Sequence, residues 1–254
     1  MKNKRVIITG QEGYIGKYLW QFLERTGYDV LGLDIKTGND ITQKLKDEYH
    51  SFKPDYIFHL AAQTSVQESI INPQKNFNTN VSGTLNILRL GGKIIFTSTG
   101  AIYGNKLMAK ESDNPSPQSP YAISKFIAEQ FIQYSCPPCV ILRIGNVYGR
   151  NNPKGVINAL KKKGKIFGDG TNQRDYIYID DVIKALCEAT KWRRGIYNIG
   201  TGIETSVNEI ANLLKIEKRY APAKMEQKFI SLDNSKAIKT GWRPKCQLKD
   251  YYDK

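Results

Sequence analysis

Histidine is scarce in this chain of 254 residues, which contains only His50 and His59. Histidine is the side chain most often used for proton transfer at neutral pH. The scarcity therefore argues against a histidine-based active site. We expect other side chains to carry any catalysis and His59 to be structural.

Cysteine is also infrequent, with four residues, and only Cys136 and Cys139 are closely spaced. No second pair accompanies them, so the pattern of a four-ligand zinc site is missing and no metal site is expected. A redox-active dithiol would place its first cysteine at a helix N-terminus. Here the pair follows a predicted helix and leads into a predicted strand at residues 140–143. We expect free thiols, which suit a reducing, cytoplasmic location.

Long apolar runs are missing, and the longest ones have the length of a strand. A membrane-spanning helix needs about 20 predominantly apolar residues, so none is predicted. The first five residues are mostly charged and lead into a strand, unlike a secretory signal peptide. We expect a globular protein without a membrane partner, long enough to bury a substantial core.

Acidic residues are outnumbered, 24 against 38 basic ones, which gives a formal net charge of +14. Such an excess can indicate nucleic-acid binding, and residues 161–165 contain four lysines. No recognised nucleic-acid module accompanies them. A lysine-rich solvated surface together with a pocket for an anionic nucleotide explains the charge more simply. Nucleic acid is therefore not the expected partner.

Glycines near the amino terminus predict a site for a dinucleotide. Residues 5–9 read as a buried strand, residues 17–25 have helical periodicity, and Gly10, Gly13 and Gly16 lie between them. Glycines at such a turn let the backbone approach a pyrophosphate at the helix N-terminus. A second predicted strand ends at Asp34, 18 residues after Gly16. A carboxylate there favours NAD over NADP, although Asp34 could also serve only as a cap or turn residue.

Tyr121 and Lys125 form the most informative pair for chemistry. Residues 121–133 have the apolar spacing of a helix, and a four-residue offset places both side chains on one face. A tyrosine is a poor base because its reference pKa is near 10. A neighbouring ammonium group would favour the phenolate, and so would a cationic nicotinamide. On its own, the pair could equally lie on a solvated helix face.

Ten sequence segments, which follow one another in a fixed order along most of the chain, carry a resemblance to a known family. They are residues 10–16, 40–41, 59–66, 80–84, 96–104, 121–125, 143–149, 167–181, 197–202 and 233–242. In this order they resemble the extended short-chain dehydrogenase/reductase family, specifically its NAD-dependent nucleotide-sugar epimerases and dehydratases. The resemblance implies an α/β fold, a Rossmann-type doubly wound parallel sheet with a smaller C-terminal substrate-binding part. NAD is the implied cofactor.

The resemblance also implies roles for individual residues. The catalytic residues implied are Thr99, Tyr121 and Lys125. The cofactor-binding residues implied are Gly10, Gly13, Tyr14, Ile15, Gly16, Asp34, Asp40, Ile41, Leu60, Ala61, Ala62, Asn80, Thr97, Tyr121 and Lys125. The substrate-binding residues implied are Thr99, Tyr121, Asn146, Val156, Arg174 and Lys224. For Arg174, a salt bridge with a neighbouring acid is the structural alternative.

Two residues after Thr99 distinguish the reactions of the family. The 4,6-dehydratases carry an Asp-Glu pair there and the decarboxylases carry a glutamate at the second position, whereas this chain has Gly100 and Ala101. Small residues at both positions resemble the 4-epimerases, so we expect C4 inversion of a UDP-hexose. A 4-ketoreductase or another family chemistry is the alternative. The reductases generally prefer NADPH, whereas Asp34 favours NAD. A non-catalytic NAD sensor is a further alternative, against which the retained Thr99, Tyr121 and Lys125 argue.

Three departures from the family pattern qualify the substrate site. The family's Arg-Pro-Gly-Asp stretch is replaced at residues 221–227, where Lys224 supplies a point charge that cannot bind phosphate in a bidentate manner. The region between residues 150 and 168 is short, which leaves Val156, within residues 155–158, as the expected contact to the base. The helix after Asn80 is also short, because glycines follow Leu90.

The expected domain boundaries are interleaved. Alternating strand and helix patterns over residues 1–147, together with about 174–202, predict the NAD-binding part. Residues of about 148–173 and 203–254 form the expected substrate-binding part. Relatives commonly dimerise through two helices per subunit, which here correspond to residues 80–90 and 121–134. Because the first offers only about three turns, we expect a weak homodimer.

Overall fold

The computed structural model of the protein describes residues 3–135, 138–153, 155–223 and 227–252. The strands are β1 (Arg5–Thr9), β2 (Asp29–Leu33), β3 (Tyr56–His59), β4 (Lys93–Thr99), β5 (Lys106–Ala109), β6 (Cys139–Ile144), β7 (Asn146–Tyr148), β8 (Lys165–Phe167), β9 (Gln173–Tyr178), β10 (Gly195–Ile199), β11 (Glu204–Ser206), β12 (Arg219–Ala221) and β13 (Phe229–Leu232). The helices are α1 (Tyr14–Arg25), α2 (Asp47–Phe52), α3 (Val66–Ile71), α4 (Pro73–Phe77), α5 (Gly83–Leu88), α6 (Pro120–Ser135), α7 (Val156–Lys163), α8 (Ile179–Ala189), α9 (Val207–Leu213), α10 (Ser235–Ile238) and α11 (Leu248–Tyr252). Short 3₁₀ helices at Ile35–Thr37 and Gly100–Tyr103 and a π-helical segment at Asn78–Ser82 complete the described elements.

The main sheet has six parallel strands in the order β10-β6-β4-β3-β1-β2. In its register, Thr9 at the end of β1 pairs with Leu33 and His59, and Thr99 at the end of β4 pairs with Ile144. The carboxyl ends of the strands therefore lie along one edge, where ligands bind in open α/β sheets. The expected Rossmann-type fold is confirmed.

Apolar residues cover both faces of this sheet, as a buried parallel sheet requires. In β1, Val6 and Ile8 belong to the core cluster that includes Leu19 and Leu23 of α1. Ile7 points the other way, into a second cluster that includes Ala128 of α6. Alternation of side chains along the strand thus produces a three-layer arrangement of helices, sheet and helices.

The second sheet joins segments that are distant in sequence. Its order is β11-β9-β13-β5, and β7 also pairs with β9. Strands β5 and β9 lie in this sheet, although their residues fall within the ranges predicted for the NAD-binding part. Strand β10, in contrast, lies in the main sheet as predicted. The remaining small part packs around a cluster that includes Tyr148, Tyr176 and Ile210, and strands β8 and β12 pair beside it.

Two helices were expected to form a dimer contact. Helix α6 spans the predicted residues 121–133 and leaves Ile123, Phe131 and Tyr134 exposed. It is the longest helix in the described part of the chain, and no helix there has the length and apolar content needed to cross a bilayer.

The predicted start of the first helix at Asn80 is wrong. Residues 73–88 are helical through α4, the π-helical segment and α5, because Asn72 caps the start and Pro73 occupies the first turn.

Candidate functional site

The predicted catalytic residues meet at the carboxyl edge of the main sheet. Thr99 is the last residue of β4, and its Oγ1 accepts a hydrogen bond of 3.1 Å from the Ala101 backbone N–H. The Thr99 side chain also hydrogen-bonds the hydroxyl of Tyr121, which lies in the first turn of α6. Lys125 follows one turn later and is 2 % exposed. The structure therefore brings all three side chains into one cleft.

Burial dominates the electrostatics of this cleft. It raises the pKa of Tyr121 to about 12, against the opposing effect of the hydrogen bond with Thr99. It also lowers the pKa of Lys125 to about 7. Lys125 is not among the groups that act on the pKa of Tyr121, so the expected effect of its ammonium group, together with that of a cationic nicotinamide, stays a prediction. Burial acts in the opposite direction, and a further positive charge next to Tyr121 would favour the phenolate.

A buried ion pair lies behind Lys125. Glu129, one turn further along α6, is fully buried, and the Nη2 of Arg143 donates to its carboxylate at 2.7 Å. The negative charge of Glu129 opposes the effect of burial on the pKa of Lys125. The Lys125 ammonium lies 3.9 Å from the ring centroid of Phe96. Sequence reasoning missed the role of Glu129, although its spacing of four residues from Lys125 indicates the same helix face.

The glycine-rich turn forms a close backbone cradle. Gly10 has a φ of +75°, and a Cβ added there would lie 2.8 Å from the backbone nitrogen of Ala61. A Cβ at Gly16 would lie 2.2 Å from the carbonyl oxygen of Gly10. Helix α1 then begins at Tyr14, after Gly13, and its first turn contains no acidic residue. An uncrowded helix N-terminus of this kind fits the pyrophosphate of NAD. Tyr14 and Ile15 would contribute through their backbone N–H groups, because their side chains pack against the core.

Asp34 occupies the position expected for recognition of the adenosine ribose. It lies directly after β2 and is 7 % exposed, and its carboxylate accepts hydrogen bonds of 2.9 Å from the backbone N–H groups of Glu12 and Lys36. It therefore does cap the 3₁₀ helix Ile35–Thr37. The same bonds hold the carboxylate against the glycine-rich turn, so the capping role and the predicted cofactor role are compatible.

The predicted adenine-contacting pair is only partly accessible. Asp40 accepts a hydrogen bond of 2.8 Å from the backbone N–H of Thr42. Ile41 is 4 % exposed and belongs to the core, where its side chain fills the space beside Gly83. Any contact between Ile41 and adenine would therefore come from its backbone.

The segment after β3 lines the same edge of the sheet. The backbone N–H groups of Leu60 and Ala61 donate to the carbonyl oxygen and the hydroxyl of Thr9, each at 3.1 Å, and Ala62 follows them, also half-buried. On the neighbouring strand, the Thr97 hydroxyl donates to the carbonyl oxygen of His59 at 3.1 Å. The predicted cofactor segment is thus tied to strands on both sides.

Asn80 binds protein groups with its whole side chain. Its Oδ1 accepts from the backbone N–H of Gln63 at 2.8 Å, and its Nδ2 donates to the Gln63 carbonyl at 3.1 Å and to Ser124 Oγ at 2.9 Å. Ser124 Oγ in turn donates to the carbonyl oxygen of Tyr121 at 2.9 Å. Because these bonds use both amide protons, the geometry favours positioning of the catalytic helix over direct contact with the cofactor.

A cavity of about 220 Å³ lies in the smaller part of the molecule. It brings together the predicted substrate residues Asn146 and Val156, and Arg150 and Lys161 provide positive charge. The hydroxyls of Tyr14 and Tyr18 both donate to the Arg150 carbonyl, at 3.0 and 2.8 Å, which joins helix α1 to the cavity wall. The cavity is therefore positively charged and lies beside helix α1.

Arg174 lies outside the lining of that cavity. It is on β9, and its guanidinium donates to the carbonyl oxygens of Gln173, Lys228 and Gln227. It thus contacts the end of the segment in which Lys224 was predicted to bind phosphate. Lys224 itself lies outside the described residues, as does Cys136 of the cysteine pair, whereas Cys139 is buried.

The first of the two positions after Thr99 is closely packed. A Cβ at Gly100 would lie 3.1 to 3.3 Å from side-chain atoms of Leu232 and Ile230. The Ala101 carbonyl accepts a hydrogen bond of 2.9 Å from Gln227 Nε2. An acidic side chain at position 100 would therefore face apolar groups from β13 without compensation.

Known proteins match this architecture over nearly the whole chain. The putative UDP-glucose 4-epimerase of Methanocaldococcus jannaschii is 38 % identical over 290 residues, covering 96 % of this chain and 95 % of the relative. The crystal structure of UDP-glucose 4-epimerase with UDP-glucose from Thermotoga maritima matches with a TM-score of 0.90 and 31 % identity, over 98 % and 96 % of the two chains. The Thermus thermophilus UDP-glucose 4-epimerase in complex with NAD matches with a TM-score of 0.87 and 32 % identity, over the same shares.

Other relatives carry different names. The bovine dTDP-D-glucose 4,6-dehydratase is 31 % identical over 97 % of this chain and 86 % of its own length. A UDP-glucuronate 4-epimerase of Thermodesulfobacterium geofontis is 29 % identical over 96 % of this chain and 92 % of its own length. The profile of the NAD dependent epimerase/dehydratase family matches residues 6–200. With its Rossmann-type sheet, glycine cradle and Thr99–Tyr121–Lys125 cleft, the chain belongs to the NAD-dependent epimerase/dehydratase family.

Proposed function

We propose that this enzyme is a nucleotide-sugar 4-epimerase that inverts C4 of a UDP-hexose through a transient 4-keto sugar. The observation that carries the proposal is the end of β4. There the Thr99 hydroxyl meets the Tyr121 hydroxyl, while Gly100 is packed against Leu232 and Ile230. The site thus has one acid–base group at the sugar, and Gly100 and Ala101 supply neither of the carboxylates that a dehydratase uses.

Each catalytic residue has a defined task in this mechanism. Tyr121, as phenolate, removes the proton from the 4-hydroxyl of the sugar and returns it to the 4-keto oxygen in the reverse step. Thr99 hydrogen-bonds the reacting oxygen. Bound NAD⁺ supplies the hydride acceptor and a positive charge. That charge would favour the phenolate, whereas burial raises the pKa of Tyr121 to about 12.

The role of Lys125 follows from its burial. Its pKa of about 7 means that the buried ammonium is easily neutralised in the protein alone, and Glu129 is the group that favours its charged form. We propose that Lys125 binds the ribose next to the nicotinamide and stabilises the phenolate of Tyr121. The Glu129–Arg143 ion pair would keep Lys125 in place and partly charged.

The nucleotide would occupy the cavity that Asn146 and Val156 line. Its positive residues, Arg150 and Lys161, complement a diphosphate. Arg174 and Lys224 would act from the neighbouring segment, with Arg174 held by the backbone carbonyls of residues 227 and 228. Free rotation of the 4-keto sugar about its diphosphate would then present either face of C4 to the cofactor.

A panel of sugar nucleotides tests the proposal. The enzyme as purified is incubated with UDP-, dTDP- and GDP-hexoses without added cofactor, and the products are separated by anion-exchange chromatography. We expect a mixture of two C4 epimers from a UDP-hexose and no net NADH. A 4-keto-6-deoxy sugar would identify a dehydratase, and stoichiometric consumption of added reduced cofactor would identify a 4-ketoreductase. Either result would contradict the proposal.

A further inference from the structure

His59 is a buried titratable residue for which the proposed mechanism has no use. It ends β3 at the edge of the sheet where the cofactor cleft lies, and it is 1 % exposed. Its Nδ1 is 2.7 Å from Thr9 Oγ1, and its Nε2 is 2.8 Å from Thr84 Oγ1. Both threonines are also buried. Both ring nitrogens of this buried imidazole are therefore satisfied, by side chains from two other elements.

The protons of this chain of hydrogen bonds can be assigned. Thr84 Oγ1 donates to the carbonyl oxygen of Asn80 at 2.7 Å, and a carbonyl can only accept. The single Thr84 proton is therefore used, so Thr84 accepts from His59 and Nε2 of His59 carries the proton. Nδ1 then accepts from the hydroxyl of Thr9. The Thr9 oxygen in turn accepts the Ala61 backbone N–H at 3.1 Å.

The chain connects two halves of the cleft. At one end, Thr9 precedes Gly10 of the glycine cradle, and Ala61 lies against Gly10. At the other end, Asn80 clamps Ser124, whose hydroxyl bonds the carbonyl of Tyr121. Every hydrogen bond on this route has a fixed direction, and each ring nitrogen of His59 serves one end of it.

Protonation of His59 would break this arrangement, because Nδ1 must remain an acceptor. Burial and the positive charge of Lys125 lower the pKa of His59 to about 3. The ring of Phe96 stacks on the imidazole at 5.4 Å between centroids, and the ammonium of Lys125 lies over the same Phe96 ring. The imidazole is therefore held neutral in one tautomer throughout the working pH range.

We propose that His59 is a positioning residue whose bond to Thr84 ties the helical run carrying Asn80 to the end of β3, with β1 joined through Thr9, and thereby fixes the catalytic helix relative to the cofactor cradle. Its imidazole hydrogen-bonds Thr84 and Thr9, so it would act on Tyr121 only through other residues. Its effect reaches Tyr121 through Thr84, Asn80 and Ser124. The kinetic part of this inference rests on the proposed function, whereas its structural part does not.

Two conservative variants distinguish the hydrogen bond of His59 to Thr84 from its hydrogen bond to Thr9. In His59→Gln, the side-chain amide nitrogen reaches the place of Nε2 and can still donate to Thr84. In His59→Asn, the shorter amide reaches the place of Nδ1 and can still accept from Thr9, but the bond to Thr84 is lost. Thr84→Val removes the same bond from the other side and serves if His59→Asn does not fold.

The test combines hydrogen exchange with kinetics on the NAD-loaded enzyme. We expect His59→Asn and Thr84→Val to raise backbone amide exchange over residues 121–126 about 10-fold, the effect of one lost buried hydrogen bond. Exchange in β2, which lies outside the chain of hydrogen bonds, should remain unchanged. The kcat should fall by a similar factor with KM within twofold, and His59→Gln should keep both quantities within about threefold of the native values.

Two results would overturn the inference. One is that the Gln and Asn variants behave alike, and the other is that exchange rises equally in β2 and in α6, which would indicate a general loss of stability. Hydrogen exchange needs no turnover, so it remains decisive if no sugar nucleotide is epimerised. In that case the proposed function fails while the role of His59 is still tested.

Discussion

The contact between Thr99 and Tyr121 allows the sharpest test of the catalytic assignment. Thr99→Val keeps the shape of the side chain but removes its hydroxyl, which bonds the Tyr121 hydroxyl and accepts the Ala101 N–H. One such bond contributes about 1 to 1.5 kcal/mol net, so kcat should fall about 10-fold. Tyr121→Phe removes the acid–base group itself and should cost at least about 100-fold.

Stability must be separated from chemistry in this experiment. Thr99→Val also leaves the Ala101 N–H without its acceptor at the start of a 3₁₀ helix, which lowers the free energy of unfolding by about 1 to 3 kcal/mol. Thr99→Ser keeps the hydroxyl and is the matched control, expected within about threefold of the native kcat. Initial rates of C4 inversion, urea midpoints and the NAD content of each variant give the comparison.

The reasoning fails if Thr99→Val turns over at the native rate while Tyr121→Phe does not, since the threonine would then play no part in the chemistry. It fails more seriously if Tyr121→Phe keeps full activity. Equal losses in Thr99→Val and Thr99→Ser would indicate a packing defect at the end of β4 in place of a lost hydrogen bond.

Three further predictions concern the cofactor, pH and assembly. Because the Asp34 carboxylate would repel a 2′-phosphate, calorimetry should give tighter binding of NAD⁺ than of NADP⁺, and the reverse order would refute the assignment of Asp34. The pKa of His59 is about 3 in the folded protein and about 6.5 in the unfolded chain. Between these pH values the unfolded chain binds a proton at His59 and the folded protein does not. The free energy of unfolding therefore falls as the pH is lowered from about 6.5 to about 3. In this pH range, the free energy of unfolding of the native protein should fall by about 1.4 kcal/mol per pH unit relative to that of His59→Gln, as measured by urea unfolding. If both proteins lose stability with pH at the same rate, His59 is not held neutral. Light scattering should detect a concentration-dependent homodimer that Phe131→Glu disrupts, because Phe131 is an exposed apolar residue of α6, and an unchanged dimer in that variant would place the contact elsewhere.

The main sheet was predictable because its strands are buried on both faces. Residues 5–9 read as a short apolar run bounded by turn residues, and β1 has these bounds. Thr99, Tyr121 and Lys125 could be brought together from motif order alone. The start of the helical run at Pro73 was missed, because residues 73–79 are mostly polar and lack helical apolar spacing. The cap at Asn72 followed by a proline was the available signal.

Interactions that depend on tertiary packing could not be predicted. The sequence does not reveal that Arg143 meets Glu129, or that Thr9 and Thr84 converge on His59 from different elements. Nor does it reveal how deeply a side chain is buried, and burial decides the pKa of Tyr121. In the folded protein, burial raises that pKa to about 12.

The central claim is that hydride leaves C4 of the sugar and returns to C4 of the same molecule on the opposite face. The most direct measurement uses UDP-glucose labelled with deuterium at C4, incubated with the enzyme as purified and followed by proton NMR. The account predicts UDP-galactose that keeps the deuterium at C4, with no net change in absorbance at the wavelength of NADH. Loss of the label to solvent, or inversion at any other carbon, would contradict it.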